Sequence, residues 1–166
     1  MTSRLLYLVR HAKSDWAYEG LADIDRPLNE RGYRDAPVMA ARVAKLGHDP
    51  DRIVSSPAIR ALTTALIFAR QLERDAATVV LEPRLYEASP AAFIHVLGEQ
   101  PDAAHKLMVF AHNPTLTDVA SELGGVAISN VPTAGVVCVR FEAATWAEAL
   151  RKPGSLEFFE YPKKYS

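Results

Sequence analysis

Two of the five histidines stand directly after short apolar runs. His11 follows Leu5–Val9 in Arg10-His11-Ala12, and His112 follows Leu107–Ala111 in His112-Asn113-Pro114. A neutral imidazole is available near pH 7, with an ordinary pKa of about 6.5, and it can form a covalent phosphoramidate. Arginine supplies a planar fork that grips two phosphate oxygens at once. Arg10 adjoins His11, and Arg60 lies in Ser55-Ser56-Pro57-Ala58-Ile59-Arg60-Ala61-Leu62-Thr63-Thr64-Ala65. A helix starting at Pro57 puts Arg60 in its first turn, where free N–H groups and the helix dipole also favour an anion. Either histidine alone reads as an ordinary polar group. Two at equivalent run ends, joined by two arginines, point to a site that handles phosphate.

Other residues carry weaker signals. Glu87, in Leu85-Tyr86-Glu87, is either a loop carboxylate or cap, or the proton donor that a departing alkoxide needs. Ser14 and Asn29 are secondary contacts on the loop after His11, with surface or capping roles as the plain alternative. His48, His95 and His105 lie in polar or helical surroundings and read as structural. Cys138, inside Val136–Phe141, reads as an inert core thiol.

These residues need a frame. Leu5–Val9, Arg52–Ser55, Thr78–Leu81, Leu107–Ala111 and Val136–Phe141 read as strands, apolar almost throughout and therefore covered on both faces. Gly32–Leu46, Pro57–Leu72, Pro90–Leu97 and Pro114–Leu123 carry apolar residues at helical spacing, with the prolines at helix starts. Leu156–Tyr161 fits an edge strand, Trp146–Leu150 a short helix or turn, and Pro162–Ser166 a frayed tail. The alternation predicts an α/β fold: a three-layer sandwich with a mostly parallel central sheet and helices on both faces. Ligands of such sheets bind at the carboxyl ends of the strands, where both histidines fall. Residues 12–29 have no clear period, and long loops of this kind are often functional.

At 166 residues, 49% hydrophobic and 23% charged, the chain suits one domain over residues 1–166. A net charge of −1 gives no global field for nucleic acid, so anion binding must be local. One cysteine excludes an intrachain disulfide and a Cys-rich zinc site. The N-terminal apolar run is too short for a membrane span or a signal peptide. The expectation is a cytoplasmic monomer with no nucleic-acid or membrane partner.

Leu8-Val9-Arg10-His11-Ala12-Lys13-Ser14-Asp15-Trp16, the Ser55–Ala65 stretch and Ala111-His112-Asn113-Pro114 resemble, in order, three motifs of the histidine phosphatase superfamily, the phosphoglycerate-mutase-like proteins. The short length, the Arg-His-Ala-Lys-Ser wording and Arg26-Pro27-Leu28-Asn29-Glu30-Arg31-Gly32 are similar to SixA-type phosphohistidine phosphatases. The resemblance spans roughly residues 5–125. It implies that His11 is a nucleophile that becomes phosphorylated, that Arg10, Arg60 and His112 cradle the phosphoryl group, and that no metal or cofactor is needed. It also implies a phosphorylated protein as partner, such as a histidine phosphocarrier, with small phosphate esters as the alternative. Ala12 replaces the customary glycine, which requires a negative φ there, and Ala17 stands where mutase-like members have asparagine. Three competing readings remain: a metallophosphoesterase using His11, His112 and Asp15 or Asp118; a phosphate-binding module without turnover; and a mutase.

Overall fold

Side chains along β1 (Ser3–Arg10) point alternately to two faces, and both are covered. Leu6 and Leu8 enter one buried cluster; Leu5, Tyr7 and Val9 enter another on the opposite face. The computed structural model describes residues 2–166. The chain continues through α1 (Glu30–Lys45), β2 (Arg52–Ser55), α2 (Ile59–Gln71), β3 (Val80–Leu81), α3 (Pro90–Gly98) and β4 (Lys106–Ala111). It ends with α4 (Thr115–Gly124), β5 (Val136–Glu142), α5 (Trp146–Ala149) and β6 (Ser155–Glu160).

The strands form one sheet in the order β3-β2-β4-β1-β5-β6. β3, β2, β4 and β1 run parallel, while β5 and β6 are antiparallel to their neighbours. The sheet is thus mixed, with its parallel part carrying the first four strands. On α1, Ala36, Met39, Ala40 and Val43 recur at helical spacing and pack with Phe68 of α2 against one face. Phe93, Val96 and Leu97 of α3 and Leu116, Val119, Ala120 and Leu123 of α4 cover the other, with Trp146 of α5. Truncating one such residue, for example Phe68→Ala, typically costs about 3–5 kcal/mol. The three-layer α/β expectation therefore holds.

Arg4 is 1% exposed and serves the same frame. Its Nε donates to the Ala143 carbonyl (3.0 Å), Nη1 to those of Asp102 (2.9 Å) and Ala104 (3.5 Å), and Nη2 to that of Ala144. The guanidinium also lies 5.3 Å from the Trp146 ring centre. One side chain thereby fastens the start of β1 to the segments before β4 and α5.

Several boundaries differ from the sequence reading. The expected strand Thr78–Leu81 shortens to Val80–Leu81, because Ala76–Thr78 winds into a 3₁₀ turn capped by Asp75. Of Pro57, Pro90 and Pro114, Pro90 alone occupies a first helical position. α2 begins two residues after Pro57, with Ala58 as its extended cap, and α4 begins after Pro114, where Asn113 Oδ1 accepts from Thr117 N (3.1 Å). The tail expected to fray is tied down: Tyr165 donates to Glu160 Oε1 (2.8 Å) and Lys164 to the Phe159 carbonyl (2.7 Å). No helix among the described residues is long and apolar enough to cross a membrane.

Candidate active site

Strand register brings the motifs together. In the parallel pair β1–β4, Arg10 is the partner of Ala111, and His11 N donates to the Ala111 carbonyl (3.2 Å). His11 and His112 therefore emerge side by side, their ring centres 5.3 Å apart. The next strand, β2, ends level with them: Ser56 N donates to the Phe110 carbonyl (3.0 Å), and Ser56 Oγ lies 2.7 Å from His112 Nε2. After β1 the chain turns toward the α1–α2 face, whereas after β4 it turns to α4 on the opposite face. The crevice between such diverging connections is where α/β sheets bind ligands.

His11 is 7% exposed, and its Nδ1 lies 2.7 Å from the Ala12 carbonyl. A carbonyl only accepts, so Nδ1 carries the proton and Nε2 keeps its lone pair. Burial pushes the imidazole down to about 3, with His112, Arg60 and Arg10 adding to the effect, so the ring is neutral at pH 7. Burial, then Arg60, lowers His112 to about 4. Ala12 is buried and donates its N–H to Thr64 Oγ1 (3.0 Å), which in turn donates to the Arg60 carbonyl (2.7 Å). Positive φ among described non-glycine residues falls on Glu73, Glu87 and Ala134. Ala12 keeps the negative φ that its side chain requires.

Arg10 extends Nη1 to the Val131 carbonyl (3.1 Å), and burial lowers its pKa. Its own carbonyl and that of His11 both accept from Ala134 N (3.1 Å each), a buried alanine held at φ 62°. Arg60 is 6% exposed and donates Nη1 to the Asp23 carbonyl (2.7 Å) and Nη2 to Asp23 Oδ2 (2.9 Å). Arg10 Nε, Arg60 Nε and His112 Nδ1 are all buried without a hydrogen-bond partner among the described residues. Unpaired buried polar atoms are rare, and a cluster of three at one crevice fits a polar ligand.

The irregular loop supplies more of the site than its sequence disclosed. Asp23, on a single 3₁₀ turn (Asp23–Asp25), reaches over Arg60, and its Oδ1 accepts from Arg26 Nε (3.0 Å). Arg26 is buried, donates Nη1 to Ser14 Oγ (2.9 Å) and stacks 3.4 Å from the Trp16 ring centre. Ser14 thus enters the site through Arg26. Asn29 takes its plainer role, capping α1 by accepting from Gly32 N (2.9 Å). A Cβ on Gly32 would stand 2.2 Å from the Lys13 carbonyl oxygen, so glycine is what lets α1 back onto the loop after His11. Tyr86, edge-on to the His112 ring at 5.6 Å, donates its hydroxyl to Asp23 Oδ2 (2.5 Å).

Asp23, Arg60, Tyr86, Glu87 and His112 line a cavity of about 370 Å³. Glu87 is exposed on it and takes φ 57°. A larger cavity, about 570 Å³, lies at the opposite end of the sheet beside Arg52, Arg74 and Pro101. It contains neither site histidine, whereas the smaller cavity reaches His112 and Arg60, with His11 and Arg10 outside its lining. Of the site residues, Asp23, Arg26, Tyr86 and Ser56 were missed as individuals; Ser56 and Tyr86 lay inside quoted motifs. Arg26 likewise headed the quoted Arg26–Gly32 motif, and Asp23 had only its Asp-x-x-Arg spacing in an aperiodic loop. His48 is structural, with Nδ1 2.7 Å from the Tyr7 hydroxyl. The described residues contain no group of three or more His, Cys, Asp or Glu able to hold a metal ion. Asp15 instead caps the turn at Ala17 N (2.7 Å).

Residues 6–93 match the model of the histidine phosphatase superfamily (branch 1). The chain belongs to that superfamily, and the membership supports phosphatase activity. A Mycobacterium tuberculosis (strain CDC 1551 / Oshkosh) protein is 30% identical over 165 residues, which cover 93% of this chain and 100% of the relative. The crystal structure of SixA from Agrobacterium tumefaciens superposes with a TM-score of 0.82 at 27% identity, covering 98% of this chain and 100% of that one. A protein histidine phosphatase SixA complexed with tungstate shares the fold at a TM-score of 0.77 and 18% identity, covering 98% and 99%.

Proposed function

We propose that this protein is a metal-independent phosphatase, one domain over residues 1–166, whose His11 attacks phosphorus and is transiently phosphorylated. The observation that carries the reading is the 2.7 Å contact between His11 Nδ1 and the Ala12 carbonyl. The Nδ1–H is committed to that carbonyl, which leaves the Nε2 lone pair as the nucleophile beside two arginines. As the bond from Nε2 to phosphorus forms, the bond to the leaving group breaks, and negative charge rests on three equatorial oxygens. Arg10, Arg60 and the His112 N–H stabilise that charge. Water then attacks phospho-His11, releasing orthophosphate and restoring the neutral ring. Arginines flanking the crevice disfavour a cation there.

Phosphohistidine on a protein is the donor that the likeness to SixA-type proteins favours, because its imidazole departs without strong acid assistance. Small phosphate esters form the second reading, supported by Glu87 on the cavity, from which a departing alkoxide would take its proton. One chain supplies every proposed site residue, so a monomer suffices, and the buried lone thiol suits a cytoplasmic setting.

Brief reaction with a phosphohistidine protein or an aryl phosphate should leave an acid-labile, base-stable phosphoryl group on His11. Turnover should survive chelator and vanish in His11→Ala. Full turnover in His11→Ala would overturn the reading. Ranking kcat/KM across phosphohistidine proteins, phosphotyrosine peptides and small esters identifies the donor.

A further inference from the structure

Asp23 is held as an oxyanion is held. Its Oδ2 accepts from Arg60 Nη2 (2.9 Å) and the Tyr86 hydroxyl (2.5 Å), and its Oδ1 accepts from Arg26 Nε (3.0 Å). Three donors thus converge on one carboxylate whose side chain is 47% exposed, Arg26 from three positions further along the same loop and Arg60 and Tyr86 from distant segments. Surface ion pairs seldom collect so many partners, and two of these donors are themselves fixed. Arg60 is buried in the first turn of α2; Arg26 is clamped by Ser14 Oγ, the Asp15 carbonyl (3.2 Å) and the Trp16 ring. Tyr86 touches the His112 ring as well, so the carboxylate sits on the rim of the crevice. These donors, Tyr86 foremost, hold the carboxyl well below the usual range, and the same bond raises the Tyr86 hydroxyl to about 12.

We propose that Asp23 is a specificity-determining residue: a resident anion on Arg60 that an incoming phosphoryl group must displace. The inference rests on the reading of Arg60 as a phosphate ligand. A tethered carboxylate competes at high effective concentration. A monoanionic ligand, such as a phosphodiester, offers Arg60 no more charge than Asp23 already does and is turned away. A dianionic terminal phosphoryl group offers more charge and three oxygens, and it takes the guanidinium. Asp23 thereby sets a threshold that selects terminal phosphoryl groups.

The test is calorimetric titration of the full chain with orthophosphate and with dimethyl phosphate at pH 8, where orthophosphate is largely dianionic. The proteins are the wild type, Asp23→Asn, Asp23→Ala and Tyr86→Phe, with melting temperatures confirming that each is folded. Asp23→Ala should bind orthophosphate about tenfold more tightly and should gain dimethyl phosphate binding that the wild type lacks. Asp23→Asn should fall between. Tyr86→Phe, which loosens the carboxylate without changing the charge, should tighten orthophosphate about two- to threefold. Unchanged or weaker orthophosphate binding in the Asp23 variants would overturn the inference, because Asp23 would then only position Arg60. If that result came with normal labelling of His11, the phosphatase reading would stand alone. Failure of every protein to bind orthophosphate would also overturn the inference, while labelling of His11 would still decide the phosphatase reading.

Discussion

Replacing His11 by glutamine should alter how stability responds to acid. The unfolded imidazole titrates near 6.5, whereas burial lowers the folded one to about 3. Between those values the unfolded chain binds a proton that the native chain refuses, so acid favours unfolding. The stability associated with a neutral His11 is complete above about pH 6.5 and is lost as pH falls toward 3. At pH 5 the unfolded ring is almost fully protonated and the folded ring is not, so the loss between pH 7 and pH 5 is about 2 kcal/mol. His112, lowered to about 4 by burial and Arg60, acts with the same sign in both proteins. Urea unfolding at pH 7, 6 and 5 should therefore show the wild type losing about 2 kcal/mol more than His11→Gln, at constant m-value. Parallel pH profiles for the two would mean that His11 titrates as a solvated ring. The case for a permanently neutral nucleophile would then fail.

Gly32→Ala should lower both stability and activity, because its Cβ would meet the Lys13 carbonyl oxygen at 2.2 Å. Backbone cannot yield as a side-chain tip can, so a cost of about 1–3 kcal/mol is expected by denaturant titration, with kcat/KM falling in step. Arg4→Ala should destabilise by about 3 kcal/mol without changing kcat/KM in the folded fraction, since it strips donors from buried carbonyls far from the histidines. A loss below about 1 kcal/mol would show that water replaces those donors.

Residues at the ends of regular elements were legible in the sequence. Arg10-His11 and His112 follow apolar runs, and because β1 and β4 lie side by side, both motifs open into one crevice. The β5 run is equally apolar on both faces, so its composition carried no sign that it runs antiparallel to β1. Asp23 was illegible for a different reason. Its partners Arg60 and Tyr86 lie 37 and 63 positions away, and an aperiodic loop carries no local pattern that encodes such pairings. α2 starts after Ala58 and α4 after Pro114, which is itself the cap, so both prolines stand just outside helices that their composition placed them within.

The alanine held at φ 62° marks how far the working unit extends. Its N–H secures the carbonyls of Arg10 and His11, and Val131 just before it holds the Arg10 side chain. Every residue proposed to meet phosphate lies before position 113, yet the peptide that aims the first two of them comes after position 130. A fragment ending with the last motif would carry all the chemical groups and lack the part that points them. Activity here reports the whole sheet, and loss of β5 pairing would silence the site before any of its own residues had changed.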